Sequence, residues 1–228
     1  MNLQVNSPYK KCPYNCPFCI AAKCPTNIFT DDFYYNNLGG YLMRLVDIIK
    51  EQHIDTVVIT GDTEPTLFPE WVEQVRATAK AFGCKVEIQT RNYNFKPMFG
   101  FDVVAYSCTK IPPMHLLPKQ AGTYTKRYTI VLTDEITNDE IKALMVLYTI
   151  TNKEQVTIKY LRPSSYDDTS INEWIEKHGR VLTSADEELF ASLGAHVDAK
   201  CDESEGRYII YRTNGKLYQH WNDTESLK

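Results

Sequence analysis

The chain has 228 residues, length for one generous domain or two small ones. Its 25 Lys and Arg stand against 29 Asp and Glu, a net charge of −4 with a pI near 5.8. That balance argues against a protein held to nucleic acid by bulk positive charge, while a local basic pocket remains compatible with it. Apolar residues make up 43% of the sequence, so a sizeable core can be buried and wholesale disorder is excluded.

Residues 1–6 lack a charged stretch leading into an apolar run, so no signal peptide is visible, and no apolar stretch reaches the length of a membrane span. Seven cysteines, an odd number with no export signal, do not read as a disulfide framework. The expected compartment is cytoplasmic, with reduced thiols. Fifteen tyrosines suit a pocket for flat, partly polar molecules, or reflect a Lys/Asn/Tyr-leaning composition.

Residues 3–8 read as a short strand, followed by a Cys/Pro-rich loop over 9–30. Apolar residues at helical spacing (Leu38, Tyr41, Leu42, Leu45, Val46, Ile49) predict an amphipathic helix over Leu38–Glu51. The run DTVVIT at 55–60 predicts a strand buried on both faces, and 69–82 a helix closed by Gly83. Strands are predicted at Lys85–Thr90, 102–107 and 128–133, then a helix at 138–150 capped by Thr137 or Asn138, then a sixth strand at 155–161. This βαβα rhythm predicts a largely parallel sheet. Six strands in place of eight predict an α/β fold of the partial (βα)6 TIM-like barrel kind. Residues 110–127 carry chain breakers and no clear helix, the pattern of a lid or an abbreviated crossover.

Beyond residue 161 the pattern changes to short helices at 171–178 and 185–193, then strands at 207–212 and 216–221. Thr213-Asn214-Gly215 joins the last two, and Asn-Gly favours a type I′ hairpin turn. The organisation is therefore a barrel core over 1–163 and a C-terminal helix and β-hairpin extension over 164–228, packed on that core.

The chemistry sits in Cys12-Pro13-Tyr14-Asn15-Cys16-Pro17-Phe18-Cys19, directly after the first strand. Three thiolates at C-x3-C-x2-C spacing can hold three irons of a [4Fe–4S] cube and leave the fourth iron open to a small ligand. A closed zinc site wants four ligands, usually as two separated pairs. Cys24 offers a fourth, but no second pair follows. Cys84, Cys108 and Cys201 are scattered and read as small buried hydrophobes.

The cysteine run resembles the signature of the radical SAM enzymes, C-x3-C-x-Φ-C, in which Phe18 fills the aromatic position Φ. Gly61-Asp62-Thr63-Glu64-Pro65, after the second strand, is similar to the family's Gly-Gly-Glu-Pro stretch, which meets the amino group of S-adenosylmethionine (AdoMet). Asp62-Thr63 stands in place of the second glycine, with one residue inserted. Gln89-Thr90-Arg91-Asn92 occupies the place where relatives carry a polar Thr-Asn-Gly, and the family's glycine-rich strand-five motif is not recognisable.

The resemblance covers about residues 1–161. It implies a [4Fe–4S] cluster on Cys12, Cys16 and Cys19. It also implies AdoMet held by Phe18, Gly61, Asp62, Thr63, Glu64, Gln89, Thr90 and Ser107, and an electron donor such as flavodoxin or ferredoxin. The implied reaction is reductive cleavage of AdoMet to a 5′-deoxyadenosyl radical that abstracts hydrogen from a bound substrate, with no obligatory acid or base. Both motifs fall at the C-terminal edge of the inferred sheet, where barrels place active sites.

Polar residues at the same edge supply the substrate candidates: Arg91, Asn92, Tyr93, Lys110, His115, Arg162 and Ser165. Arg91, Lys110 and Arg162 together would clamp a phosphate or carboxylate. No second cysteine cluster and no leader-binding domain are visible, so a small nucleoside or nucleotide is expected in preference to a peptide. Within the radical SAM resemblance, the overall architecture is similar to queuine lyase of queuosine salvage, which releases queuine from queuosine 5′-phosphate. The alternatives are a 7-carboxy-7-deazaguanine synthase-like enzyme, a glycyl-radical activase docking through the hairpin edge, and, outside enzymes, a zinc-binding interaction protein.

Overall fold

Strand segments in which β-branched and aromatic residues alternate with polar ones assemble into one sheet with two unlike faces. The computed structural model describes residues 1–19, 36–95, 100–110, 123–149, 154–161, 169–198, 208–220, 223 and 225–227. Its strands are β1 (Asn2–Ser7), β2 (Thr56–Gly61), β3 (Lys85–Thr90), β4 (Val103–Cys108), β5 (Thr125–Leu132), β6 (Glu154–Tyr160), β7 (His196–Asp198), β8 (Tyr208–Tyr211) and β9 (Leu217–Tyr218). The helices are α1 (Leu38–Glu51), α2 (Pro69–Ala81), α3 (Asn138–Thr149), α4 (Thr169–His178) and α5 (Ser184–Ser192), with a 3-10 turn at Pro65–Leu67. The sheet order is β7-β6-β5-β4-β3-β2-β1-β8-β9. All neighbours are parallel except β8 and β9. The chain is thus an α/β fold with a mostly parallel central sheet, as the βαβα rhythm predicts. Among the described residues, no helix is long and apolar enough to cross a membrane.

Local chemistry sets the element ends. Asn37 caps α1 by accepting from Gly40 N at 3.0 Å. Thr137, not Asn138, caps α3: its Oγ1 accepts from Glu140 N while Glu140 accepts in return from Thr137 N, a capping box. Pro69 opens α2, and Gly83, at φ 80°, follows its end in the left-handed conformation that glycine adopts without strain.

One face of the sheet is apolar. Leu3, Val5, Val57, Ile59, Val86, Ile88, Val104, Ile130 and Ile158 are all at 0% exposure, and they share a core with Leu45 and Ile48 of α1, Val75 of α2 and Leu144 of α3. Each such side chain contributes about 1.5–3 kcal/mol of burial free energy. Four tyrosines, Tyr41, Tyr106, Tyr128 and Tyr211, are spent in this interior. Tyr41 stacks on Tyr211 at 4.7 Å and Tyr106 on Tyr128 at 5.8 Å. These four tyrosines therefore build core.

The register sends the alternate residues to the other face, where Gln4, Glu87, Gln89, Arg127, Gln155 and Thr157 stand. Residues of β3, β5 and β6 line one cavity of about 510 Å³ together with His196 of β7 and Tyr208 of β8. Strands from opposite sides of the sheet thus look into the same space, so the sheet curls around its polar face.

Three features differ from expectation. β5 begins at Thr125, because the buried positions Lys126 and Tyr128 continue the alternation further toward its N-terminus. β7 was not expected, since three residues carry too little periodicity to declare a strand. The hairpin turn is not type I′: among residues 213–215 only Gly215 has positive φ, at 77°. Gly215 N donates to Arg212 O and Arg212 N to Lys216 O, a type I turn with a glycine bulge. The segment after residue 163 adds β7 beside β6 and β8 beside β1, so it extends the sheet on both sides.

Candidate active site

The three cysteines sit on the loop that leaves β1, half-exposed and free of disulfides. Cys19 N donates to Cys16 O at 3.1 Å, and Asn15 takes φ 44°, a left-handed turn that asparagine tolerates. Phe18, the aromatic of the motif, lies 5.4 Å from Trp174 of α4, which in turn stacks on His178 at 4.8 Å. The C-terminal segment therefore braces the cysteine loop. Among the described residues, no group of His, Cys, Asp or Glu is gathered tightly enough to ligate a single metal ion. A cluster asks for a different arrangement, one thiolate per iron spread around a cube, and three cysteines on one loop, none in a disulfide, suit that donor set.

Arg91 follows β3 and turns toward this loop. Its Nη1 lies 2.7 Å from Cys16 Sγ, its Nη2 donates to Thr109 Oγ1, and its guanidinium lies 5.2 Å from the Tyr14 ring centroid. Burial raises the pKa of the Tyr14 hydroxyl, with the Glu64 carboxylate adding to the rise and Arg91 opposing it.

The loop after β2 packs beneath. A Cβ on Gly61 would lie 2.9 Å from Ser7 N and closer still to the Ser7 side chain, so only glycine lets β1 and β2 end side by side. The Asp62 carboxylate is buried, accepting from Asn6 Nδ2 at 3.0 Å and from Arg212 Nη1 at 3.2 Å. Arg212 is 1% exposed, with its guanidinium 5.2 Å from the Tyr218 ring centroid. Burial pushes Asp62 up to about 6, with Arg212 and then Asn6 pulling it back.

Glu64 accepts from Thr66 N, Thr66 Oγ1, Thr90 Oγ1 and Arg91 N. Its carboxylate thus ties the β2 loop to the end of β3. Ser7 Oγ and Thr63 Oγ1 are buried hydroxyls with no hydrogen-bond partner among the described residues. They offer polar atoms to a ligand where the β1 and β2 loops meet.

The remaining expected residues are distributed unevenly. Asn92 Nδ2 donates to Thr66 Oγ1 at 3.2 Å, and Tyr93 OH donates to Ser107 O at 3.1 Å, burial raising the Tyr93 pKa. Gln89 donates to Glu87 on the polar face, which Ser107 shares through the strand register. Lys110 pairs with Glu135 at 3.3 Å on the exposed surface. His115, Arg162 and Ser165, like Cys24, Cys201 and Trp221, lie outside the described residues. The structure therefore gathers the cysteine loop, Gly61 to Glu64, and Thr90 to Tyr93, but it does not bring Arg91 and Lys110 together as a clamp. Cys84 and Cys108 are buried, as expected of small hydrophobes, and burial pushes Cys108 up to about 12.

Sequence reasoning missed Asn6, Arg212, Tyr14, Thr66 and Thr109, whose roles depend on contacts between distant segments. It also missed the polar sheet face, although the alternation in KVEIQT and QVTIKY displays it.

No family's sequence profile matches the chain, and no curated protein matches it. Among solved structures, the fold is similar to anSMEcpe with bound AdoMet and the Cp18Cys peptide, at a TM-score of 0.53 and 11% identity. The match covers 98% of this chain and 75% of that one.

Proposed function

We propose that this chain is a radical SAM enzyme acting on a small molecule. The observation that carries the reading is the meeting of three cysteines after β1, the Gly61–Glu64 loop at the end of β2 and Thr90–Asn92 at the end of β3. All three lie at the C-terminal edge of a parallel sheet. The likeness in fold to anSMEcpe, a radical SAM enzyme solved with bound AdoMet, supports it. On this reading the curled sheet is a partial barrel around its polar face.

Cys12, Cys16 and Cys19 would hold a [4Fe–4S] cluster, and the orphaned hydroxyls of Ser7 and Thr63 would face AdoMet. The chemistry such a cluster would supply, with AdoMet bound and one electron delivered, is cleavage of the AdoMet C5′–S bond to methionine and a 5′-deoxyadenosyl radical that abstracts hydrogen from the substrate. The chain's own residues position and shield. Gly61 lets the β1 and β2 loops close together, and Glu64 holds the β3 end against them. Phe18 and Trp174 set apolar surface against one flank of the cysteine loop. Arg91 sets a fixed positive charge beside Cys16.

The electron donor on this account is a flavodoxin or ferredoxin, and the setting is cytoplasmic. Queuosine 5′-phosphate, the substrate of queuine lyase, is the candidate substrate on this reading. Anaerobic turnover with dithionite, AdoMet and that nucleotide tests it. Release of queuine together with 5′-deoxyadenosine supports the assignment, and 5′-deoxyadenosine formation unchanged by the nucleotide rules it out.

A further inference from the structure

The polar face of the sheet carries a charge imbalance. Glu87 and Arg127 form an ion pair at 2.7 Å with side chains 9% and 29% exposed. Glu87 also accepts from Gln89 Nε2 at 3.1 Å, and Arg127 Nε donates to Gln155 Oε1 at 3.1 Å. Arg127 Nη2 is left with no partner among the described residues. Lys159 stands on the same face of β6, in register with Asp198 of β7. Of the residues lining the cavity of about 510 Å³, Glu87 is the one carboxylate, set against two fixed cations, Arg127 and Lys159, with His196 exposed beside them. Glu87 is matched by Arg127, and Lys159 adds a second cation to the lining.

The cavity falls within the usual range for small-molecule sites, and its lining is polar where such sites are mostly apolar. Two cations and the Thr129 and Thr157 hydroxyls converge on one space, which is the donor set for a carboxylate or phosphate. Gln89, in the same lining, precedes Arg91 by two residues, about 7 Å of extended strand. The strand that lines this cavity therefore also carries Arg91, whose Nη1 lies 2.7 Å from Cys16 Sγ.

We infer that this cavity binds the anionic group, carboxylate or phosphate, of the enzyme's small-molecule substrate, between Arg127 and Lys159. The assignment rests on the proposed radical chemistry for the ligand's fate and not for its binding. It takes the place of an anion clamp of Arg91 and Lys110, which the structure commits to Cys16 and Glu135.

Isothermal titration of the reconstituted protein with inorganic phosphate, and separately with succinate, tests it. Saturable binding of either anion is expected. Lys159→Gln should weaken it about tenfold, and Lys159→Arg should keep it within about twofold. Lys110→Gln, which alters the exposed pair with Glu135, should leave it within about twofold. Binding of phosphate alone, or of succinate alone, identifies the group within the same proposal. No saturation by either anion, or equal loss in Lys110→Gln and Lys159→Gln at unchanged urea midpoints, overturns it. Failure to form 5′-deoxyadenosine would sink the radical reading and leave this binding result standing, so the two failures are distinguishable.

Discussion

Asp62 and Arg212 are 150 positions apart in sequence and meet in the interior. Removing Arg212 strands a buried carboxylate, so Arg212→Leu is expected to cost about 3–5 kcal/mol in urea unfolding. A loss below about 1 kcal/mol would show that the pair is not buried. Burial also makes the folded protein hold the Asp62 proton more tightly than the unfolded chain does, at about 6 against the ordinary 3.8. The Asp62 contribution to stability is then greatest below the ordinary value and declines as pH rises to about 6. The stability of wild type minus that of Asp62→Asn should fall across that window and level off above it, and a rising difference contradicts the raised pKa. Arg91 makes a different residue-scale claim. Lysine keeps its charge but lacks the planar fork that reaches Cys16, Thr109 and Tyr14 together. Arg91→Lys should therefore lower 5′-deoxyadenosine yield about tenfold at unchanged iron content. Iron loss as complete as in Cys16→Ala would make Arg91 a structural residue only. The cysteines and Gly61 were legible in the sequence because neighbouring residues define them. Arg212 was not, because a lone arginine before a turn carries no local sign of a carboxylate from β2.

The elements were largely legible because their ends are written in local chemistry. Asn37, the Thr137–Glu140 box, Pro69 and Gly83 each mark a boundary by a short-range hydrogen bond or φ requirement. The hairpin was legible as a hairpin, but its turn type was decided by the register of β8 against β9, which the Asn-Gly pair alone does not set. The pairing of α4 with the cysteine loop is another long-range matter. Trp174 against Phe18 contributes about 0.5–1.5 kcal/mol beyond its area. Trp174→Ala should therefore speed the loss of iron from the reconstituted protein to a chelator, at nearly unchanged secondary structure by circular dichroism. An unchanged rate would mean that the contact does not brace the loop.

At the scale of the whole molecule, the sheet joins what the sequence divides. β8 lies beside β1 and β7 beside β6, so residues after 163 share backbone hydrogen bonds with both sides of the core. No local pattern announces that pairing, because a parallel partner is chosen by topology and not by the strand's own residues. Urea unfolding followed by tryptophan fluorescence and by circular dichroism should give one coincident transition, and two separated midpoints would show that the extension unfolds apart from the core. β3 joins the two proposals, since Gln89 lines the polar cavity and Arg91, two residues on, meets Cys16. The most direct test of the central claim is anaerobic reconstitution with iron and sulfide, followed by dithionite and AdoMet, with 5′-deoxyadenosine quantified for the wild type and for Cys16→Ala. The account predicts a brown protein that forms 5′-deoxyadenosine, and a Cys16→Ala variant that loses both colour and product. A fully loaded cluster that yields no 5′-deoxyadenosine, or a colourless protein carrying zinc, would contradict it.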